Sequence, residues 1–396
     1  MLKPAIVAVG YNRPEGMKRL LDSIGKARFD EADVPLIVSI DESDKSDDVE
    51  KVAKEFCWNY GEKIIRRFPE RQGLRKHIVQ CGDLSEQYGG VIILEDDLIV
   101  AEDFYRYVCS AHEKYSCFDE VCGVSLYSYG CNEFTHYPFV PTPCCYDVYL
   151  GQMVVTWGQS WTTEQWRKFK QWYCAHEDRL PTVNHSIPRD ISGWTRSWGR
   201  YFATYMAENG LSYVYPMVAR STCFSDFGEH NKTGIPLTFV QVPLMHGVPT
   251  DYKFGDLAEL ERFDPFYEKK LDDRVQIAGI SGDRICMDIN NMKTTADGKE
   301  YVLTNEELSL EEIASFGLTL RPIALNAVEN VPGDQLHLYR MRPDGRIRAW
   351  SGRRPKYHAN LRRLKFEFFD VTWRVLKYYA PREFLTRVKD IVRNRR

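Results

Sequence analysis

Several features of membrane and disulfide-bonded proteins are missing from this sequence. It contains no apolar run of the roughly 20 residues needed to cross a bilayer, and no N-terminal signal-peptide pattern. The 11 cysteines are odd in number and form no CxxC pair, and four of them lie in apolar segments, at Cys57, Cys81, Cys109 and Cys122. We therefore expect reduced core cysteines and a cytoplasmic protein.

A strong excess of one charge is also missing. The formal net charge is −3, so no overall field indicates a nucleic-acid partner. The charge is uneven, however, because residues 353–396 contain 14 Lys and Arg against 4 Asp and Glu. Apolar residues also recur at helical spacing there. This basic tail predicts a pair of amphipathic helices that fit an anionic membrane surface; packing on the body of the protein or on a partner subunit is the alternative.

Strand and helix patterns alternate over the first part of the chain. Buried-strand runs occur at 5–9, 36–40, 64–65 and 91–94. The intervening segments predict helices, the first opening at Pro14, the second capped by Ser46 or Asp47, and the third covering 73–87. Such alternation predicts an α/β fold, with a mostly parallel sheet and helices on both of its faces.

Polar residues follow directly after three of these predicted strands. They are residues 11–13 (YNR), 41–43 (DES) and 95–97 (EDD). In α/β folds, ligands bind beyond the carboxyl ends of the parallel strands. The three clusters should therefore converge on one edge of the sheet and form a site.

The acidic triplet at 95–97 lies between apolar residues on both sides. Carboxylates at the end of a buried strand repel one another and lose hydration, so they need a positive partner. A divalent cation that also holds the phosphates of a nucleotide would supply that charge. A strand that ends in a solvated acidic turn is the plainer alternative.

Two later regions differ in composition from the first. Six of the nine tryptophans lie between Trp157 and Trp198, and aromatic rings suit the faces of sugars, although helix packing accounts for at least half of them. Short hydrophobic pieces separated by turns at 276–348 predict a small β-rich module with one helix near 310–316.

Four segments, in this order, resemble those of one enzyme family. They are residues 10–14 (GYNRP), 38–41 (VSID), 95–97 with Phe104, and 157–161 (WGQSW) with Trp166. The chain resembles nucleotide-sugar-dependent glycosyltransferases of the GT-A type that act in bacterial surface-polysaccharide synthesis. It is also similar to the eukaryotic enzyme that adds GlcNAc to the mannose core of N-glycans. The resemblance spans residues 4–231, and Gln159 and Ser160 depart from the family's Trp-Gly-Trp-Ala-Thr-Trp run.

The resemblance implies a GT-A fold and a division of the chain into four parts. These are a nucleotide-sugar-binding half (1–130), an acceptor-binding half (131–270), the small β-rich module (271–350) and the basic helical tail (351–396). It also implies inverting transfer of a hexosyl or N-acetylhexosaminyl group from a nucleotide sugar, UDP-linked in the first instance. The acceptor would be a glycan or a lipid-linked glycan.

Roles for individual residues follow from the same resemblance. Asp97 would bind Mn²⁺ or Mg²⁺, with His230 or His246 as a further contact. The donor would be bound by Tyr11, Arg13, Asp41, Glu95 and Asp96, of which Arg13 and Asp41 would contact the base. The acceptor would contact Trp157, Trp161 and Trp198.

The general base is where the sequence departs from the family. Relatives place an Asp at the position that Gly199 occupies here, and we consider Asp190, Asp226 and Glu229 as substitutes. Two other functions stay open. A nucleotidyltransferase usually carries a glycine-rich loop, which residues 10–14 lack. A non-catalytic nucleotide- or glycan-binding relative in an assembly complex is favoured by Gly199.

Overall fold

The structure is a computed structural model that describes residues 2–30, 33–141, 144–181, 183–224 and 240–348. Eleven strands and eight helices precede residue 264 in this part of the chain. The strands are β1 (Ala5–Gly10), β2 (Leu36–Ile40), β3 (Lys63–Arg67), β4 (Gly90–Glu95), β5 (Leu98–Val100), β6 (Val121–Ser125), β7 (Val148–Gly151), β8 (Gln159–Thr162), β9 (Ser212–Pro216), β10 (Ser221–Cys223) and β11 (Arg262–Phe263). The helices are α1 (Pro14–Lys26), α2 (Ser46–Glu55), α3 (Leu74–Gly82), α4 (Ser85–Tyr88), α5 (Phe104–Tyr115), α6 (Thr163–His176), α7 (Arg189–Ser192) and α8 (Trp198–Asn209).

Nine of these strands form one central sheet, in the order β11-β7-β9-β6-β8-β4-β1-β2-β3. The four neighbouring strands β4, β1, β2 and β3 are parallel to one another. Strand β8 runs antiparallel to its neighbours β4 and β6. Strands β5 and β10 form a separate antiparallel pair. The predicted α/β fold with a mostly parallel sheet is therefore confirmed.

Helices cover both faces of this sheet, as the packing of alternate residues of β1 shows. Ile6 and Ala8 pack with α1, α2 and α5, whereas Val7 and Val9 pack with α3, α6 and α8. Every residue of β1 and β2 is buried, which accounts for their continuous apolar runs. Helix α1 begins at Pro14, whose missing N–H costs nothing at a helix start.

Local details differ from the sequence predictions at three places. Helix α2 has Lys45 as its cap, and the expected caps Ser46 and Asp47 are its first two residues; the Ser46 hydroxyl accepts a hydrogen bond from the Ser43 backbone N–H at 2.7 Å instead of capping the helix. The helix expected at 73–87 is divided into α3 and α4. Cys57 is exposed, whereas Cys81, Cys109 and Cys122 are buried as expected.

The small β-rich module is present after residue 264. Its strands are β12 (Gln276–Ile277), β13 (Ile280–Ser281), β14 (Ile285–Asp288), β15 (Tyr301–Thr304), β16 (Glu311–Phe316) and β17 (Leu336–Arg340), with α9 (Leu325–Val328) between the last two. Strands β14–β17 form a four-stranded sheet over hydrophobic residues of its own. The prediction of a helix near 310–316 is wrong, because residues 311–316 form β16, which pairs with β17.

No helix among the described residues has the length and apolar content needed to span a membrane. The basic tail at 351–396 lies outside the described residues. The four-part division of the chain remains a prediction.

Candidate active site

A cleft of about 2250 Å³ opens where the first and fourth strands end. Its walls include residues 12–16 after β1, Glu95 and Asp97 at the end of β4, and the start of α3. Trp157, just before β8, also lines it. The predicted convergence at one edge of the sheet is found for all three clusters, since the Ser43 hydroxyl donates to the Tyr11 carbonyl oxygen at 2.8 Å, although residues 41–43 do not line the cleft themselves.

Arg13 is the positive partner of the acidic triplet. Its guanidinium forms ion pairs with the carboxylates of Asp96 and Asp97, the latter at 3.2 Å. The backbone N–H of Tyr11 also donates to Asp96, at 3.4 Å. The turn after β1 therefore compensates the charge at the end of β4, and the contact of Arg13 with a base stays a prediction.

Burial controls the protonation of this triplet. Loss of hydration, together with the negative charge of Asp97, raises the pKa of Glu95 to about 8. Burial likewise raises the pKa of Asp96 to about 6, although Arg13 opposes the rise. In the metal-free site, burial therefore favours the protonated form of Glu95 more than that of Asp96.

The backbone of the acidic turn lies directly against helix α1. A Cβ atom added at Gly16 would come within 2.6 Å of the Asp96 carbonyl oxygen, which is closer than real Cβ atoms approach. Only glycine allows this contact, so residues 13–16 and the triplet are held together as one unit.

Asp97 is fixed from its other side by the pair of strands β5 and β10. Its carbonyl oxygen accepts a hydrogen bond from the Phe224 N–H at 2.8 Å, and Cys223 pairs with Leu98. The carboxylate of Asp97 nevertheless remains partly exposed, at 21% of its side-chain area, and faces the cleft. It is therefore a carboxylate that a ligand can reach.

The residues present fit a divalent cation that shares its ligands with a bound phosphate. Among the described residues, no group of three His, Cys, Asp or Glu side chains is arranged to hold a metal by itself. Mg²⁺ commonly uses one or two carboxylates and completes its coordination with substrate phosphates and water. Asp97 can supply such a carboxylate. His230, the further contact expected, lies outside the described residues, and His246 does not line the described part of the cleft.

Asp41 does not line the cleft, but its carboxylate holds two residues of the cleft wall, Gln72 and Gly73, in place. Its buried carboxylate accepts backbone N–H groups from Glu42 at 2.9 Å, Gln72 at 2.7 Å and Gly73 at 2.9 Å. Gly73 has a positive φ of 76° and precedes α3, so Asp41 positions the start of that helix. The contact of Asp41 with a base stays a prediction.

Basic side chains outnumber acidic ones on the cleft walls. The acidic residues there are Glu15, Glu95, Asp97, Glu133 and Glu177. The basic residues are Arg13, Arg19, Lys45, Arg71, Arg75, Lys76, Lys170 and Arg196. The Arg71 guanidinium lies over the ring of Tyr11, 4.9 Å from its centroid, although Tyr11 itself does not line the described cleft. The surplus of positive charge suits an anionic ligand such as a diphosphate.

Comparisons with known proteins give matches to solved structures alone. No protein-family model and no curated protein matches the chain. One matched structure is S. aureus TarS 1-349 in complex with UDP-GlcNAc, at 13% identity and a TM-score of 0.38, covering 59% of this chain and 61% of that one. GalNAc-T7 with UDP, GalNAc and Mn²⁺ matches at 14% identity and a TM-score of 0.39, covering 56% and 44%.

A third match is the mannosyltransferase PcManGT from Pyrobaculum calidifontis in complex with GDP-Man and Mn²⁺. It has 15% identity and a TM-score of 0.35, over 55% of each chain. The chain is similar to GT-A glycosyltransferases. It spans less than two thirds of each of these matched chains, and the function proposed below rests on the residues of the cleft.

The three tryptophans expected at the acceptor lie in different environments. Trp157 and Trp198 line the cleft, Trp198 with little exposed area. Trp161 is fully buried in the core, and its indole N–H donates to the Tyr213 hydroxyl at 2.9 Å. Its ring packs on Trp166 at 4.8 Å between centroids. Trp161 is therefore a core residue, as expected of its central strand β8, and not a surface for a sugar.

The substitutes considered for the general base do not meet in the described cleft. Asp190 lies in α7, outside the residues that line the described cleft. Asp226 and Glu229 lie outside the described residues. Gly199 is in the first turn of α8, and its N–H donates to the Ser197 hydroxyl at 3.1 Å. The sequence analysis missed Glu133, a cleft residue from the loop after β6.

Proposed function

We propose that this chain is a metal-dependent, inverting glycosyltransferase that acts in polysaccharide biosynthesis. It would move a hexosyl or N-acetylhexosaminyl group from a nucleotide sugar, a UDP-sugar in the first instance, to a hydroxyl group of a glycan or lipid-linked glycan. The observation that carries the proposal is the reachable carboxylate of Asp97, which ends a parallel strand in a cleft with a surplus of basic side chains.

The two sides of the cleft suit the two substrates. On the donor side, basic side chains such as Arg71 and Lys76 would bind the diphosphate, and Glu95 would hydrogen-bond the ribose. Asp97 would hold Mn²⁺ or Mg²⁺, which when bound neutralises charge on the diphosphate leaving group. On the other side, Trp157 and Trp194 offer aromatic surface to an acceptor sugar.

Calorimetry with UDP, with and without Mn²⁺, tests the donor site first. We expect binding that tightens when Mn²⁺ is added. A panel of UDP-sugars, followed by mass spectrometry of the products, then identifies the donor, and NMR of the product anomer tests inversion. Binding of UDP without transfer from any donor would favour a non-catalytic relative, and absence of UDP binding would contradict the proposal.

The basic tail supports attachment to an anionic membrane surface, where a lipid-linked acceptor would be found. Each basic residue that reaches such a surface contributes roughly 1 kcal/mol. Deletion from Pro355 onward should therefore lower co-sedimentation with anionic liposomes while donor hydrolysis stays near normal. Loss of the fold or of the oligomeric state in the truncated protein would favour packing of the tail on the body or on a partner subunit.

A further inference from the structure

Glu133 is a carboxylate of the cleft wall that has no part in donor binding as described above. It shares the cleft with Asp97, and Trp157 lines the same cleft. We infer that Glu133 is the general base that takes the proton from the acceptor hydroxyl. The inference rests on the proposed function and supplies the base for which the family position, Gly199, has no side chain.

A tight turn positions Glu133. The side-chain oxygen of Asn132 accepts hydrogen bonds from the N–H groups of Phe134 at 2.9 Å and Thr135 at 3.2 Å, and Cys131 pairs with Pro138 across the turn. The ring of the next residue, Phe134, packs on Trp194 of the cleft wall at 6.3 Å between centroids. The turn that carries the base is therefore held against the cleft before any acceptor arrives.

The surroundings of Glu133 adjust its proton affinity to neutral pH. Burial raises the pKa of Glu133 to about 7, although the tyrosine hydroxyls oppose the rise. A general base is most effective when its pKa is near the working pH. The titratable groups that face it from the loop, from β9 and from the segment after β11 all have a raised pKa and are uncharged at pH 7. They are Tyr127, Tyr129, Cys131, Tyr215 and Tyr267.

The other carboxylates that line the described cleft suit this role less well. Glu95 and Asp97 belong to the donor side with Arg13. Glu15 is exposed in the first turn of α1. Glu177 is exposed and accepts a hydrogen bond from the Tyr173 hydroxyl at 3.0 Å. Glu133 combines access to the cleft with a half-buried setting beside Tyr129 and Tyr267.

The proposed step is a single displacement. The acceptor oxygen forms a bond to the anomeric carbon while its proton moves to the Glu133 carboxylate. The bond from the anomeric carbon to the phosphate oxygen breaks, and its electron pair leaves with the nucleoside diphosphate. Glu133 returns the proton to water after the product departs.

Glu133→Gln tests this step, because it keeps the shape of the side chain and removes its basicity. We expect transfer to a hydroxyl acceptor to fall by about 10²–10⁴-fold while UDP affinity stays unchanged. For the wild type, kcat/KM should rise with pH around an apparent pKa of about 7, and this limb should disappear in Glu133→Gln. Glu177→Gln is the matched control and should keep both the rate and the limb.

Azide as an alternative acceptor separates a base from a structural residue, since azide has no proton to lose. Glu133→Gln should form glycosyl azide at the wild-type rate, and Glu133→Asp should recover part of the transfer to hydroxyl. Equal loss with azide and hydroxyl acceptors, or a pH limb that persists in Glu133→Gln, would overturn the inference while leaving the proposed function in place. A wild-type protein that binds no nucleotide sugar would instead remove the proposed function, and the inference with it.

Discussion

The guanidinium of Arg220 and the carboxylate of Asp103 form an ion pair out of contact with solvent. Arg220 Nε lies 3.2 Å from Asp103 Oδ2, and the Tyr252 hydroxyl donates to the same oxygen at 3.0 Å. Arg220 immediately precedes β10, whose partner β5 follows Asp97. The pair therefore supports the strands that position the carboxylate proposed to bind metal.

Replacing Arg220 by Met should destabilise the whole protein. The buried Asp103 would lose its counter-charge, and breaking a buried ion pair by removing one partner costs about 3–5 kcal/mol. Urea unfolding followed by circular dichroism would measure this loss in the free energy of unfolding. Arg274→Met, which breaks the exposed pair with Asp272, should change it far less, because solvent screens exposed ion pairs. Equal effects of the two substitutions would contradict the structural role of Arg220.

Asp97→Ala should abolish metal-dependent nucleotide binding while the protein stays folded. The side chain is partly exposed, so its removal leaves no cavity in the core, but the donor side loses its reachable carboxylate. Calorimetry with UDP and Mn²⁺ measures the loss. Glu102→Ala, an acid five residues further along whose partner Arg28 is exposed, should bind as the wild type does. If Asp97→Ala binds UDP with Mn²⁺ as tightly as the wild type, the metal assignment is wrong.

Arg13→Gln should lower the stability of the ligand-free protein by about 1–3 kcal/mol, because Asp96 is buried and would lose its charged partner. A bound cation can supply part of the missing charge. Addition of UDP with Mn²⁺ should therefore raise the melting temperature of Arg13→Gln by more than it raises that of the wild type. A smaller rise than in the wild type would mean that Arg13 itself binds the donor.

Acid should destabilise the protein through its buried histidines. Burial lowers the pKa of His112 to about 3 and that of His77 to about 4, so both are neutral in the folded protein at pH 7. In the unfolded chain a histidine has a pKa of about 6.5, so stability falls as the pH drops below that value, by about 1.4 kcal/mol per pH unit for each residue until its folded pKa is reached.

His112→Gln isolates the contribution of one of these residues. At pH 7 the variant should be less stable than the wild type, because His112 makes a 2.9 Å hydrogen bond with the Ser160 hydroxyl. That difference in the free energy of unfolding should shrink as the pH falls from 6.5 to 4. A constant difference across this range would show that His112 is not the group that titrates.

Local sequence patterns predict the central part of the fold well. Strands β1, β2 and β4 are nearly all buried, so they appear as continuous apolar runs, and the face of α1 follows helical spacing. Elements that depend on distant partners could not be predicted in this way. Segment 311–316 is half exposed and becomes a strand by pairing with β17. The division after α3 occurs at Asp83, whose carboxylate accepts the Trp166 indole N–H at 2.8 Å.

The candidate site, like the fold, could be predicted from the sequence only in part. The triplet 95–97 could be found because three acids stand beside a buried strand, a pattern that is visible locally. The partner of these acids could not, since Arg13 is 84 residues from Asp97 in the sequence. Glu133 was missed for a similar reason: its surroundings include Tyr267, which comes much later in the chain. Charge and burial are properties of the folded site, and the sequence alone reports only the residue types.

The antiparallel course of β8 has a consequence for substrate size. Because Gln159 is paired with Ile93, the chain just before β8 and the chain just after β4 lie at the same end of two adjacent strands. The backbone segments that carry Trp157 and the donor-side carboxylates are therefore about 4.8 Å apart, which is the spacing between hydrogen-bonded strands. The length and direction of the side chains add to this spacing. Under the proposed function, changes in the surrounding loops would alter which acceptor is recognised, whereas the gap between the donor and acceptor sugars would be set by the sheet.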